Sequence, residues 1–325
     1  MPPEVLPWSE LKRRFRTVEA ARAAVRRGDY RRVLHDAYVV GSTPDDVSTR
    51  VAALRRVLPD DVALSHWTAL WALGLEVLPR DRNKVEQLDV TVPRGRHLLA
   101  RPGVRTHCAL LPDEELCDVH GLLVVSAERA FVDVARAYGL VEGVAAGDAA
   151  LRSGATDLAR VEAAVDRARG LRNVTVARRA VPHLEPRSES LMESRLRMGF
   201  VLAGGPRMEA QRDLYDEHGH HCGRADLFLD GVVVEYDGRD SRLDRGRFTH
   251  DRRRGNDLAN LALEIRRFSA DDYYGRTDRQ RLQELERALA LAAERRPRWV
   301  FGPDTLPKPR LRPLPTRAEG RRAAA

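Results

Sequence analysis

The sequence predicts a mixed α/β protein of two domains, with a winged helix-turn-helix-like region at its front. Three observations predict this. The chain has 325 residues, enough for two modest cores. Helix-like and strand-like stretches alternate along both halves. Pro182 and Pro186 bracket a break in the pattern, which puts the join near residue 185. The expected divisions are 1–90, winged-helix-like; 91–185, its mixed strand and helix continuation; 186–296, a second α/β domain; and 297–325, a Pro- and Arg-rich tail expected to be disordered.

The front reads as helix, helix, then strand pair. VEAARAAVRRGDY is a short amphipathic helix ended by Gly28, and YRRVLHDAYVV supplies β-formers around a polar centre. A short helical unit before a basic hairpin is the sequence form of a winged helix-turn-helix. VSTRVAALRRVLP is a further helix. LSHWTALWALGL makes another from Ser65, with Trp67, Leu70 and Trp71 on one face as core and Gly74 as its stop. QLDVTVP, GVRTHC and GLLVVS read as strands. SAERAFVDVARAYG returns to helix with Ser126 as N-cap; TDLARVEAAVDRARG, with Thr156 as N-cap, and LRNVTVARRAVPHL follow.

Composition narrows the function classes. The net charge is +8 and the pI about 9.8, which points to a polyanion such as DNA as partner. Lys stands only at Lys12, Lys84 and Lys308, so Arg supplies 53 of the 56 basic residues, and part of the basicity reflects an Arg-rich coding background. Cys108, Cys117 and Cys222 form no CxxC pair, which fits a reducing cytoplasm. No stretch approaches the roughly 18 apolar residues of a membrane-spanning helix, so no membrane partner is expected. There is no phosphate-cradling Gly loop, nucleophile motif or dinucleotide fingerprint, which argues against a small-molecule enzyme.

The second half opens with a helix over SESLMESRLRMGFVLAGG, followed by three strands over 208–238, a helix over DRGRFTHDRRRGNDLANLA, a strand at LEIRRF and a long helix over TDRQRLQELERALALAAERR. The stretch GRADLFLDGVVVEYDG is a hairpin with an Asp-Gly turn. With Asp230 and Gly231 at the turn centre, Leu229 faces Val232, Asp226 falls opposite Glu235, and Arg224 opposite Asp237. Alternation then gives a core face of Ala225, Leu227, Leu229, Val232, Val234 and Tyr236, and an opposite face carrying Asp226, Glu235 and Asp237. Directly opposed like charges are destabilising. Two readings stand: one carboxyl holds a proton or a divalent cation sits between them, or the face is solvated and Arg224 pairs with Asp237 or Asp226.

MESRLR, GRADLFL, VVVEYDG, FTHDRRRGNDL and RRFSADD, in that order and spacing, resemble an uncharacterised bacterial family related to the very-short-patch-repair (Vsr) endonucleases. The resemblance implies a restriction-endonuclease-like PD-(D/E)xK fold, with Asp226 as the motif Asp, Glu235 as the motif Glu, and Mg²⁺ or Mn²⁺ bound by Asp226, Glu235 and Asp237. Glu193 matches an acid that positions the metal; its other reading is a capping box with Ser190. Asp237 stands where Lys is common in the superfamily, and Asp240 and Ser241 stand where relatives often carry His. The front half is similar, more loosely, to AbiEi-type antitoxin and regulator regions, through SHWTALWALGL and VTVPRGR.

Arg245, Arg247, Arg252, Arg253 and Arg254 make either a phosphate-contacting ridge together with Arg224 or a solvated helix face. EHGHHCG invites a metal reading through His218, His220, His221 and Cys222, but Gly219 marks a turn and adjacent strand residues point opposite ways, so no transition-metal role is expected there. The leading expectation is a metal-dependent endonuclease with a DNA- or partner-recruiting front. The alternative is a non-catalytic DNA-binding regulator or antitoxin-like protein built on a nuclease fold.

Overall fold

The computed structural model describes residues 3–45, 47–59, 62–77, 88–95, 104–119, 121–237, 261–295, 299–302 and 311–324. The chain is a mixed α/β protein with a two-stranded hairpin and two five-stranded sheets. At the front, α1 (Trp8–Arg13) and α2 (Val18–Arg27) precede the antiparallel pair β1 (Tyr30–Leu34) and β2 (Ala37–Val40), followed by α3 (Val47–Val57). The Thr17 side chain accepts the Ala20 N–H at the start of α2, and Gly28, at φ +85°, closes its end. The hairpin turn holds α1 in place, because the Asp36 carboxylate accepts the Trp8 N–H at 2.7 Å.

The first large sheet runs β5-β4-β3-β7-β6. Its strands are β3 (Ala63–Leu64), β4 (Leu88–Pro93), β5 (Val104–Ala109), β6 (Leu116–Val119) and β7 (Leu122–Val125). Helix α4 (His66–Ala72) buries Leu70 and Trp71 in a core shared with Leu54, Leu64, Val90 and Val124. Behind the sheet lie α5 (Ala127–Tyr138), α6 (Leu140–Ser153), α7 (Leu158–Arg167) and α8 (Val174–Ala180). Ser126 caps α5 as expected. Asp157, rather than Thr156, caps α7; the Thr156 hydroxyl instead donates to buried Glu128 at 3.0 Å.

Strands β3 and β6 and helix α6 were not expected. Residues Gly143 to Ala150 are buried without a break, so α6 has no polar face and no amphipathic signature. Its Gly147 is needed for close packing: a Cβ there would lie 2.4 Å from Leu184 and 3.0 Å from Phe131.

The second sheet runs β11-β10-β9-β8-β12, with β8 (Glu209–Asp216), β9 (His221–Leu229), β10 (Val232–Asp237), β11 (Glu264–Ser269) and β12 (Trp299–Phe301). One face is packed by α9 (Leu191–Leu202) and α11 (Asp278–Ala293), which bring Leu196, Phe200, Leu282 and Leu285 against Leu227, Val232, Val234 and Phe268. A short helix, α10 (Ala270–Gly275), joins β11 to α11. The expected helix over 244–262, including Arg245, Arg247, Arg252, Arg253 and Arg254, lies outside the described residues as far as residue 260, and Leu261 and Ala262 stand in a turn.

The tail differs from expectation. Trp299, Val300 and Phe301 pair antiparallel with Asp216, Tyr215 and Leu214, and Trp299 and Phe301 pack edge-to-face against Phe228. Further on, α12 (Arg317–Ala324) lies back on the first sheet. Thr316 forms an isolated bridge with Cys117, and Arg160 binds Glu319 at 2.7 Å. Thr316 and Glu319 exchange capping bonds, from Thr316 N to the carboxylate and from Glu319 N to the hydroxyl. Two aromatics and a T-x-x-E cap thus order segments that composition alone assigns to a tail.

The two halves meet at Asp148 of α6. Its carboxylate accepts the Glu185 N–H at 2.6 Å, the Ser194 hydroxyl at 2.7 Å and Arg197 Nη2 at 2.7 Å. Arg197 also donates to the His183 carbonyl at 2.9 Å. Side-chain exposures of 2% for Arg197 and 1% for Asp148 put this pair out of reach of water. Burial pushes Asp148 up to about 6, against the pull of Arg197. Beside it, Arg195 grips Glu142 with two bonds of 2.8 Å.

Removing one partner of a buried pair strands the other charge, at a cost of about 3–5 kcal/mol. Arg197→Met is therefore expected to lower unfolding stability by that amount in denaturant titration. A loss under about 1 kcal/mol contradicts the assignment.

Candidate functional site

The hairpin expected at 223–238 forms in the expected register: Leu229 pairs Val232, Phe228 pairs Val233, and Leu227 pairs Val234. Asp230 at φ +43° and Gly231 at φ +82° give the two left-handed residues of a tight hairpin turn. The ladder continues differently from expectation. At the place where Asp226 was to face Glu235, the Asp226 carboxylate accepts the Tyr236 N–H at 3.0 Å. Strand β10 meanwhile pairs in parallel with β11, with Glu235 opposite Arg267.

The acids therefore have partners of different kinds. Glu235, 12% exposed at its side chain, binds Arg267 at 2.9 Å. Asp237 pairs with Ser269 in the β10–β11 register. Arg224 forks onto Asp213 at 2.9 and 3.0 Å and reaches Glu189 at 3.5 Å, two partners that the sequence reading did not name. The acid-bearing face is also less open than expected. Phe228 and Val233, on that same face, are buried with Leu214, Leu261 and Leu263, and Trp299 packs against them. The runs LFL and VVV carry apolar residues to both sides, the pattern of a strand buried on both faces.

Glu193 joins this group from α9. Its N–H donates to Ser190 Oγ at 3.1 Å, so the cap is real. Its carboxylate does not complete a capping box with the Ser190 backbone N–H: it accepts the Glu189 N–H at 2.8 Å and the Gln211 side-chain amide at 2.9 Å. Gln211 was not singled out in the sequence. The same amide lies 3.4 Å from Asp226, so one side chain links the two acids. Gln211 sits at φ +54°, a costly backbone for a residue with a Cβ, and such outliers cluster at functional sites. Strand propensity gives no hint of it.

Burial pushes Glu193 up to about 7, and the negative charge of Asp226 pushes the same way; bonds from Glu189, Ser190 and Gln211 hold it back. The wall beyond is a cleft of about 440 Å³ lined by Glu189, Gln211, Asp213, Tyr215, His221, Arg224 and Asp226. His218, His220 and His221 do not converge on a metal position. His220 binds Asp216 and His221 binds Asp213, each at 3.0 Å.

With its folded pKa raised above the unfolded value near 4.5, Glu193 stabilises the fold fully below that value, and the contribution is lost as pH rises through about 7. Glu193→Gln removes this slope. The variant is expected to gain stability over the native chain from pH 5 to pH 8 by something on the order of 3 kcal/mol, read from thermal melts. A difference that stays flat across that range contradicts the burial of a shared charge.

Comparison with known proteins finds a likeness for the middle of the chain. Residues 62–185 match the family model of the AbiEi antitoxin C-terminal domain. The segment contains SHWTALWALGL, all five strands of the first sheet and helices α4 to α8. The chain is 30% identical over 156 residues to the uncharacterized proteins MT2308 and Rv2248 of Mycobacterium tuberculosis strains CDC 1551 and H37Rv, covering 47% of this chain and 57% of each relative. It thus spans little more than half the length of these curated relatives. The crystal structure of the RV2827C protein from Mycobacterium tuberculosis aligns with a TM-score of 0.31 at 18% identity, over 64% of this chain and 79% of that one. No helix among the described residues is long and apolar enough to cross a membrane. Residues 62–185 form an AbiEi antitoxin-like segment within a mixed α/β chain.

Proposed function

We propose that the protein is a non-catalytic, DNA-binding regulator of the antitoxin kind, acting in the cytoplasm. The match of residues 62–185 to the AbiEi antitoxin C-terminal domain carries the reading. The front of the chain supplies the DNA-facing surface in this proposal. There α1, α2 and the β1–β2 hairpin, which the proposal takes as a winged-helix-like unit, border a cleft of about 470 Å³ whose lining includes Trp8, Arg22, Arg26, Arg32, His35 and Tyr38 and one acid, Asp36. Several cations with interleaved aromatics suit a phosphate backbone. The join near 185 divides this regulator from a PD-(D/E)xK-like, Vsr-like unit over 186–296. That unit offers a second surface, for DNA or a protein partner, with Arg224 and the Arg-rich run from Arg247 and Arg252 to Arg254 as its basic contacts.

One observation favours a second reading, a Mg²⁺- or Mn²⁺-dependent endonuclease. Glu193 and Asp226 converge on Gln211 at the wall of a cleft. In that reading Asp226, Glu235 and Asp237 would hold the metal, which would supply a water of lowered pKa, and Glu193 would assist. Glu235 would have to leave Arg267 for the metal. Arg267 cannot serve as the base in place of a Lys, because guanidinium stays protonated.

Duplex binding measured across a salt series, together with plasmid nicking in Mg²⁺, Mn²⁺ and chelator, separates the two. The proposal expects salt-dependent binding without metal-dependent nicking. The triple variant Arg22→Ala, Arg26→Ala, Arg32→Ala is expected to flatten the log–log salt slope by about 3, roughly one per lost phosphate contact. Nicking that requires metal and disappears in Glu235→Ala overturns it in favour of the nuclease.

A further inference from the structure

The AbiEi-like segment holds a group of side chains that neither reading uses. His66 opens α4, Asp89 lies in β4 and His107 in β5. The ligand-competent atoms of the three all lie within 4.8 Å of one another. His66 and Asp89 are each 4% exposed, while His107 keeps a quarter of its side chain, 26%, open to solvent. His107 Nε2 is 2.9 Å from Asp89 Oδ1, and the two imidazole rings stack with centroids 3.8 Å apart.

The surroundings hold these groups in place. The Ser65 N–H donates to the Asp89 carbonyl at 3.1 Å, and the Asp89 N–H donates to Thr68 Oγ1 at 2.7 Å, so the first turn of α4 clamps Asp89 by both its backbone groups. The Tyr138 hydroxyl donates to Asp89 Oδ1 at 2.8 Å, and Arg105 Nη1 donates to the Tyr138 oxygen at 2.5 Å. Ser65 Oγ lies 2.9 Å from His66 Nδ1 and orients that ring. His66 itself adopts φ +53°, a left-handed backbone uncommon for a residue with a Cβ. A carboxylate and imidazoles oriented by outer hydroxyl partners are the components of a transition-metal centre.

From this geometry we infer that His66, Asp89 and His107 form a three-ligand site for a divalent transition metal of the zinc class, with an open coordination position on the His107 side. Two imidazoles and one carboxylate are a donor set that zinc accepts, and a fourth position left to water is the arrangement of an open zinc site. Tetrahedral zinc, with bonds of about 2.0–2.2 Å, needs ligand atoms roughly 3.4 Å apart. The half-open His107 ring can turn to reach that spacing, whereas His66 and Asp89 are fixed by burial. A metal bound there would take the place of the hydrogen bond between His107 and Asp89. Arg105 lies 3.9 Å from Asp89 and is 44% exposed, so solvent screens its charge at the site. The inference is independent of whether the 186–296 unit cleaves DNA.

The test uses the full chain, stripped with chelator and titrated with Zn²⁺ by calorimetry and with Co²⁺ by visible absorption. One equivalent of Zn²⁺ per chain and d–d bands from bound Co²⁺ are expected. His107→Ala is expected to weaken Zn²⁺ binding by well over tenfold, and Tyr138→Phe, which removes an outer partner, by about tenfold. His107→Gln, which keeps a side chain able to bond Asp89, gives the same loss should the alanine variant fold poorly. The double variant His218→Ala, His220→Ala, at the exposed hairpin on the other sheet, is expected to bind as the native chain does. Absence of stoichiometric Zn²⁺ binding by the native chain overturns the inference. So does binding that survives His107→Ala and His107→Gln, or that is lost in the His218→Ala, His220→Ala chain.

Discussion

Asp148 fixes how the two halves of the chain meet. A carboxylate on a helix buried along most of its length requires every partner it can find, and three groups from the following segment supply them: the Glu185 N–H, the Ser194 hydroxyl and the Arg197 guanidinium. Each comes from the stretch that leads into the second sheet or from α9 itself. The pair is costly to desolvate and contributes little net stability over an apolar replacement. Its larger effect is on register, because a helix displaced by one turn would strand Asp148 and Arg197 without partners.

The candidate site inherits this constraint. Ser194 and Arg197 reach Asp148, while Glu193, adjacent to Ser194, turns toward Gln211 and Asp226. The helix that docks the second unit therefore also delivers the acid that meets the hairpin. The site combines features that pull in opposite directions. Glu193 is buried beside Asp226, as in sites that hold a proton or a cation. Glu235, however, is neutralised by Arg267 and Asp226 is occupied by a backbone N–H, as in a framework that has settled into structural bonding. These partners, together with the antitoxin-like segment before them, favour a binding role over hydrolysis.

Much of the fold was legible in the sequence, because its signals are local. The Asp-Gly turn set the hairpin register, and Gly28, Gly74 and Ser126 marked helix ends where the structure has them. What stayed hidden depends on tertiary context. Helix α6 is buried on every side from Gly143 to Ala150, so its burial shows no period in the sequence. The second covered face of the hairpin needs Trp299 and Leu261, which are remote in sequence. Thr156 reads as a cap until Glu128 takes its hydroxyl. At the site, Asp226, Glu235 and Glu193 were legible as motif residues, but their pairing was not. Arg267 reaches Glu235 through a parallel strand from thirty-two residues away, and Gln211 owes its place to a strained backbone.

The central claim is that the buried Asp148–Arg197 contact makes the antitoxin-like segment and the second α/β unit fold together. Differential scanning calorimetry of the full chain tests it most directly. The account predicts a single transition whose calorimetric and van't Hoff enthalpies agree. Two resolved transitions, one for each sheet and its helices, would contradict it.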